Sequence, residues 1–205
     1  RPTLERMCDP HDLVNGRAIV CRVVALEALK LLLAYVASDK NILIMLSDVK
    51  RAYFNALAQR ELYVELPKED PEYREGWVGR LRLALYGTRD AAQNWEHEYI
   101  EFMDSIGFIK SRATPCMFFH RGRGVRVVIH GDDFTVLGNE VELDWFRESI
   151  QNNFEVKFRA RLGPEAKDDK SVRLLNRVIH WTEEGIRYEA DQRHAELVIN
   201  NMGLN

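Results

Sequence analysis

The sequence predicts an α+β fold, a ferredoxin-like antiparallel sheet backed by helices. Three observations carry that prediction. Val127-Val128-Ile129 and Phe134-Thr135-Val136-Leu137 are short apolar, β-branched runs on either side of a polar tip, His130-Gly131-Asp132-Asp133. They read as a β-hairpin with Gly131-Asp132 in or beside the turn. Ile42 to Leu46 is an apolar run of strand length leading to Asp48. Around these strands lie stretches with apolar residues at helical spacing, in the order strand, helix, strand, hairpin, helix. That order describes an architecture and leaves the function open.

A length of 205 residues allows one large or two small domains and a substantial core. The composition is ordinary for a globular chain, 46% hydrophobic and 30% charged with 12 Gly and 6 Pro, and no repeat or low-complexity tract stands out. The net charge of −3 gives no compositional support to nucleic-acid binding, which usually shows a basic excess. Cys8, Cys21 and Cys116 are odd in number and lack paired metal-ligand spacing. A reducing compartment with buried or incidental thiols is therefore expected over a disulfide framework. No apolar run approaches the length of a membrane span, and the first residues lack a signal-peptide layout. The opening Arg1 leads to the expectation of a fragment or a piece of a polyprotein.

Taken in order, residues 1–22 carry turn signals at Asp9-Pro10 and Asn15-Gly16 and are expected to be irregular. Cys8 and His11 are two ligand types without further partners, which is too few for a metal site. Val23 to Ser38 has apolar residues at helical spacing among good helix formers, and Asp39-Lys40-Asn41 breaks it. Arg60 to Leu66 alternates like a half-buried strand closed by Pro67, residues 68–79 read as a charged surface loop, and Arg80 to Tyr86 as another strand. A helix is expected from Thr88 as N-cap, with Asp90 in its first turn and Ala91, Trp95, Tyr99, Phe102 and Ile106 on its apolar face, ending at Gly107. Cys116 to Phe119 reads as a strand, Arg121 to Gly124 as a tight turn, and Val141, Leu143, Phe146 and Ile150 as one helix face. After a charged insertion, Glu165 to Lys170, the alternation from Val172 to Ile179 predicts a strand with Gly185 to Glu189 as its hairpin partner. His194 to Met202 closes the chain as a helix.

The chemistry lies in three carboxylates. Gly and Asp are common turn formers, so Gly131-Asp132-Asp133 alone is equally well an ordinary hairpin tip. Asp48 at the end of a strand changes the balance, because a strand end and a hairpin tip can bring three carboxylates to one sheet edge. Adjacent carboxylates repel unless a cation neutralises them, and Mg²⁺ prefers such oxygen ligands together with substrate phosphates. Two metals about 4 Å apart can activate an attacking oxygen and stabilise the leaving one, which is nucleotidyl-transfer chemistry.

The same residues carry a resemblance. Ser47 to Asn55, SDVKRAYFN, resembles the DVKTAFLNG block of copia-type retrotransposon reverse transcriptases. Leu83 to Trp95, LALYGTRDAAQNW, is similar to their KSLYGLKQAPRAW block, and IHGDD stands where they have YVDD. The stretch from Asp191 to Leu204 resembles their helix ending in a Gly-Met-like pair. The resemblance runs from about Leu26 to the C-terminus in unbroken order. It implies a polymerase palm with partial fingers and no thumb: residues 23–158 as fingers remnant and catalytic palm, and 159–205 as a primer-grip-like hairpin and the start of the helix toward the thumb.

By the same resemblance, Asp48, Asp132 and Asp133 with the backbone carbonyl of Val49 would hold two Mg²⁺ ions, with Mn²⁺ as a substitute. Tyr53 would be the gate beneath the incoming sugar that selects deoxynucleotides, and Arg89, Asp90 and Gln93 would lie at the nucleotide. His130 and Gly131 would touch the primer terminus. The implied partners are an RNA template, a DNA or RNA primer, deoxynucleoside triphosphates and the rest of a polyprotein with fingers, thumb, RNase H and integrase, with no membrane. The implied setting is a cytoplasmic virus-like particle with a nuclear phase. Three departures stand out. Asp90 replaces a Gln, and a carboxylate repels a triphosphate. His130-Gly131 replaces Tyr-Val, and the basic fingers motif is not recognisable. They keep a second expectation open, a non-catalytic decayed relic of a transposable element that retains the palm fold.

Overall fold

Leu43–Val49 (β2) is the strand on which the protein is built, and every residue of it except Asp48 is buried. The structure, a computed structural model, describes residues 3–6, 23–190 and 192–203. β2 lies inside a six-stranded sheet whose other members are Ile109–Lys110 (β5), Met117–His120 (β6), Val125–His130 (β7), Asp133–Gly138 (β8) and Val156–Leu162 (β9). The strand order is β5-β6-β7-β8-β2-β9, and every neighbouring pair is antiparallel. The fold class predicted from sequence is therefore the one observed.

Alternation along β2 divides the core in two. Leu43, Met45 and Val49 face a cluster built with the helices Ala91–Ser105 (α2) and Glu140–Gln151 (α3), where Trp95, Phe102, Phe146 and Ile150 are buried. Ile44 and Leu46 face the helix Val23–Ser38 (α1) and the three-stranded sheet of Ser171–Leu174 (β10), Arg177–Thr182 (β11) and Gly185–Ala190 (β12). A sheet covered on both faces explains why β2 reads as a continuous apolar run. Asn139 caps α3 by accepting a hydrogen bond from Glu142 N at 3.0 Å.

Several expectations are corrected. Residues 1–22 are not irregular throughout: Thr3–Arg6 (β1) pairs with Trp77–Arg80 (β4), whose other neighbour is Tyr63–Glu65 (β3). Cys8, His11, Asn15-Gly16 and Cys21 lie outside the described residues. The strand expected over Arg80–Tyr86 instead begins at Trp77 and ends at Arg80, inside the stretch read as a charged loop. Beyond it the chain bonds piecemeal to the 56–62 segment, with Leu81 N donating to Leu62 O at 2.8 Å and Ala84 N to Ala56 O at 2.9 Å.

The strand expected from Val172 to Ile179 is two strands, because Leu175 and Asn176 both take positive φ, 48° and 58°, and reverse the chain. Positive φ at both turn residues is the type I′ pattern, which suits Asn and disguises itself in an apolar run when the other residue is Leu. β9 crosses the boundary set at residue 158, so Arg159–Leu162 belong to the main sheet. Val141, expected on the buried face of α3, is 73% exposed, while Leu143, Phe146 and Ile150 are fully buried as expected. The last helix spans Gln192–Asn201 (α4).

Candidate active site

The hairpin closes as its sequence demands. His130 pairs with Asp133, leaving Gly131-Asp132 as a two-residue turn, and Gly131 takes a φ of 64°. Positive φ at the first turn position alone is the type II′ pattern, for which glycine is the natural residue. A second element fixes the tip from outside. Trp95 on α2, 1% exposed, donates its indole N–H to the Gly131 carbonyl at 2.8 Å. Sequence periodicity placed Trp95 on the apolar face of its helix, and nothing in that pattern marks the hydrogen bond.

The tip meets β2 in register. Asp48 is the cross-strand partner of Asp133, and Val49 N donates to Asp132 O at 2.9 Å. That bond makes Val49 and Asp132 the hydrogen-bonded pair and Asp48 and Asp133 the non-hydrogen-bonded one, whose Cα atoms typically approach to about 4.5 Å. Paired side chains share a sheet face, so a polar row runs across four strands: His130, Asp133, Asp48 and Lys157. Asp48, Asp132 and Asp133 are each half-buried. Residues 84 positions apart in sequence (132 − 48 = 84) thus meet at one edge of the site.

Electrostatics record the crowding. Burial pushes the Asp133 carboxyl up from its ordinary range, and the charges of Asp132 and Asp48 push the same way, against Arg159. Arg159 donates to Asp133 Oδ1 at 2.9 Å. A carboxyl whose folded-state pKa exceeds its unfolded value favours folding while protonated, so Asp133 costs stability as pH rises through that raised value. Asp133→Asn is neutral throughout and is expected to raise the urea midpoint of the ion-free protein at about pH 7, with the gap closing below about pH 4. Equal midpoints at both pH values would show that the crowding carries no net cost.

The nucleotide-side residues take separate positions. The chain reverses at Arg51, with φ 53°, and Tyr53 follows in the 3-10 turn Ala52–Asn55. Its ring packs against Tyr86 at 4.3 Å with the planes tilted by 30°, and Phe54, 39% exposed, meets Tyr86 edge-on at 5.5 Å. Thr88 does not cap α2: its hydroxyl donates to Leu85 O at 2.8 Å, and Asp90 occupies the N-cap position without a side-chain capping bond. Asp90 is held by Arg60 at 3.1 Å and by Asn94 Nδ2 at 3.5 Å. Desolvation works to raise its carboxyl, but the Arg60 hydrogen bond and charge, its own backbone and Asn94 together hold it below the usual range. Arg89 and Gln93 are exposed at the start of the same helix.

The donor set suits a hard cation: three carboxylates and a backbone carbonyl, all oxygen, with the charges of Asp132 and Asp48 acting on Asp133. As the side chains stand, no group of three His, Cys, Asp or Glu among the described residues is gathered to hold an ion. Asp133 is engaged with Arg159 instead.

Comparison with known proteins bears on this arrangement. A family model described as reverse transcriptase (RNA-dependent DNA polymerase) matches residues 13–165. The chain is 31% identical over 144 residues to the retrovirus-related Pol polyprotein from transposon RE2 of Arabidopsis thaliana, covering 64% of this chain and 10% of that protein. It is 25% identical over 147 residues to the corresponding polyprotein from transposon TNT 1-94 of Nicotiana tabacum, covering 69% of this chain and 11% of that one. The chain thus spans about a tenth of the length of these curated relatives. Among solved structures, apo telomerase from Candida tropicalis, truncated from its C-terminal domain, superposes with a TM-score of 0.49 at 13% identity, covering 84% of this chain and 41% of that one.

Proposed function

The chain belongs to the reverse transcriptase (RNA-dependent DNA polymerase) family, and we propose that it is the catalytic palm of a copia-type Pol polyprotein. The single observation that carries this reading is the registered meeting of Asp48 with the Asp132-Asp133 turn on one sheet edge. In the proposed reaction the 3′-hydroxyl of a primer attacks the α-phosphorus of a deoxynucleoside triphosphate. The hydroxyl O–H bond breaks with its proton passing to water, a new P–O bond forms, the α–β bridging P–O bond breaks, and pyrophosphate leaves with the electron pair.

Asp48, Asp132 and Asp133, with the Val49 carbonyl, are the groups proposed to hold two Mg²⁺ ions. Bound there, such ions supply charge neutralisation for the attacking and leaving oxygens. The chain's own part is positioning. The Trp95 hydrogen bond supports a fixed tip, and His130 and Gly131 on it are proposed to touch the primer terminus. The packed pair of Tyr53 and Tyr86 supports a floor under the incoming sugar, with Arg89 and Gln93 as exposed donors toward its phosphates. Asp90 is less of an obstacle than its charge suggests, since Arg60 already neutralises it. An RNA template, a primer, the rest of a polyprotein and a virus-like particle as the setting are the partners and place this reading entails.

RNA-templated primer extension by the purified chain with Mg²⁺ tests the reaction. Mn²⁺-induced broadening of the Asp48, Asp132 and Asp133 amide NMR signals tests the site independently. Broadening is expected at these amides and its loss in Asp132→Asn. Absence of both extension and broadening would favour the decayed relic. A separate expectation concerns Tyr53→Ala: by opening space beside the sugar it should raise ribonucleotide incorporation relative to deoxynucleotide. An unchanged ratio in competition assays would return Tyr53 to an ordinary packing role.

A further inference from the structure

Arg159 stands in the sheet through an irregularity. β9 pairs with β2 as Ser47 to Phe158 and then as Leu46 to Ala160, so Arg159 is an extra residue opposite no partner. A β-bulge of this kind interrupts the regular pairing and is common where a side chain is aimed at a site. The Arg159 guanidinium passes β2 and reaches β8, two strands away, where one nitrogen donates to Asp133 Oδ1 at 2.9 Å. Its second nitrogen donates to the backbone carbonyl of Arg173, on β10, at 3.2 Å. The pair is partly open to water, with side-chain exposures of 33% for Arg159 and 19% for Asp133. One planar side chain therefore connects a carboxylate of the candidate site to the β10–β11 hairpin.

Resting on the polymerase reading above, we propose that Arg159 is a positioning residue that serves as the resident counter-cation of Asp133 and yields it when a divalent ion binds. A divalent ion on Asp133 and the Arg159 guanidinium repel one another across the carboxylate they would share. Ion occupancy therefore opposes the Arg159–Asp133 bond, and through the same guanidinium it opposes the tie to Arg173. By linkage the coupling is reciprocal: whatever tightens the hairpin onto Arg159 weakens ion binding, and ion binding frees the hairpin. Alternation from Lys157, the partner of Asp48, sets position 159 on the Asp133 face, and the bulge places there a residue that no β2 residue pairs with.

The test measures Mn²⁺ affinity by the EPR signal of free ion, together with hydrogen exchange of the β10 and β11 amides. Arg159→Gln is expected to tighten Mn²⁺ binding by roughly five- to a hundredfold, the usual range for such coupling. In the unaltered protein Mn²⁺ is expected to speed exchange at β10–β11, and in Arg159→Gln to leave it unchanged. A purely structural arginine would loosen the hairpin on substitution without changing ion affinity. Should Arg159→Gln fail to fold, Arg159→Lys keeps the charge while losing the two-pronged contact. Its Mn²⁺ affinity is expected to stay near that of the unaltered protein while β10–β11 exchange rises.

Unchanged or weaker Mn²⁺ binding in Arg159→Gln, with binding still lost in Asp132→Asn, overturns the role of Arg159 and leaves the polymerase reading standing. For the Lys variant, ion binding tightened as in a charge-removing change overturns it equally. No Mn²⁺ binding by the unaltered protein overturns both.

Discussion

Asp132→Asn is expected to lower RNA-templated primer extension by at least ~10²-fold while leaving the urea midpoint within the small range of surface substitutions. Shape is preserved, because Asn tolerates turn positions as well as Asp does. The bond that seats the turn against β2 runs from Val49 N to the Asp132 backbone carbonyl and survives the change. What disappears is one negative charge at the edge where Asp48 and Asp133 meet. Phosphoryl transfer depends mostly on positioning and electrostatic stabilisation, so the loss falls on rate rather than on fold. Asp133→Asn should do less harm to extension, since Arg159 competes with the ion for that carboxylate and limits what it adds to ion binding. An Asp132→Asn protein that extends primers at the unaltered rate would reduce the Gly-Asp-Asp tip to a turn.

Trp95→Ala is expected to cost about 3–5 kcal/mol of stability, the range for deleting a large buried aromatic. The ring is 1% exposed and meets Tyr99 and Phe154 edge-on at centroid distances of 5.6 and 5.2 Å. Its second role is separable. Trp95→Phe retains most of the packing but removes the donor to Gly131 O, a loss of about 0.5–1.5 kcal/mol because Gly131 is exposed and water can replace the bond. If the indole fixes the tip, the Phe variant should also bind Mn²⁺ more weakly, beyond what its modest change in urea midpoint would suggest. Ion affinity equal to that of the unaltered protein would show that the type II′ turn holds its place without help.

The sequence by itself determined the parts whose signal is local. Apolar alternation around Gly131-Asp132, the continuous run before Asp48 and the helical spacing of Val23–Ser38 each depend on residues a few positions apart. They led to the antiparallel sheet, the hairpin tip and the strand-end carboxylate, and the motif order led to the family. Tertiary structure decided what depends on pairing. The register that sets Asp133 beside Asp48, the neutralisation of Asp90 by Arg60 and the packing of Tyr53 on Tyr86 each join residues about 30 or more positions apart. Arg159 shows the limit most plainly. In Lys157-Phe158-Arg159-Ala160 it is one more exposed-looking residue of an alternating strand, and neither the bulge against Leu46 and Ser47 nor the bond to Asp133 can be read there. A bulge belongs to the fit between two strands, and so it has no signature in either strand alone.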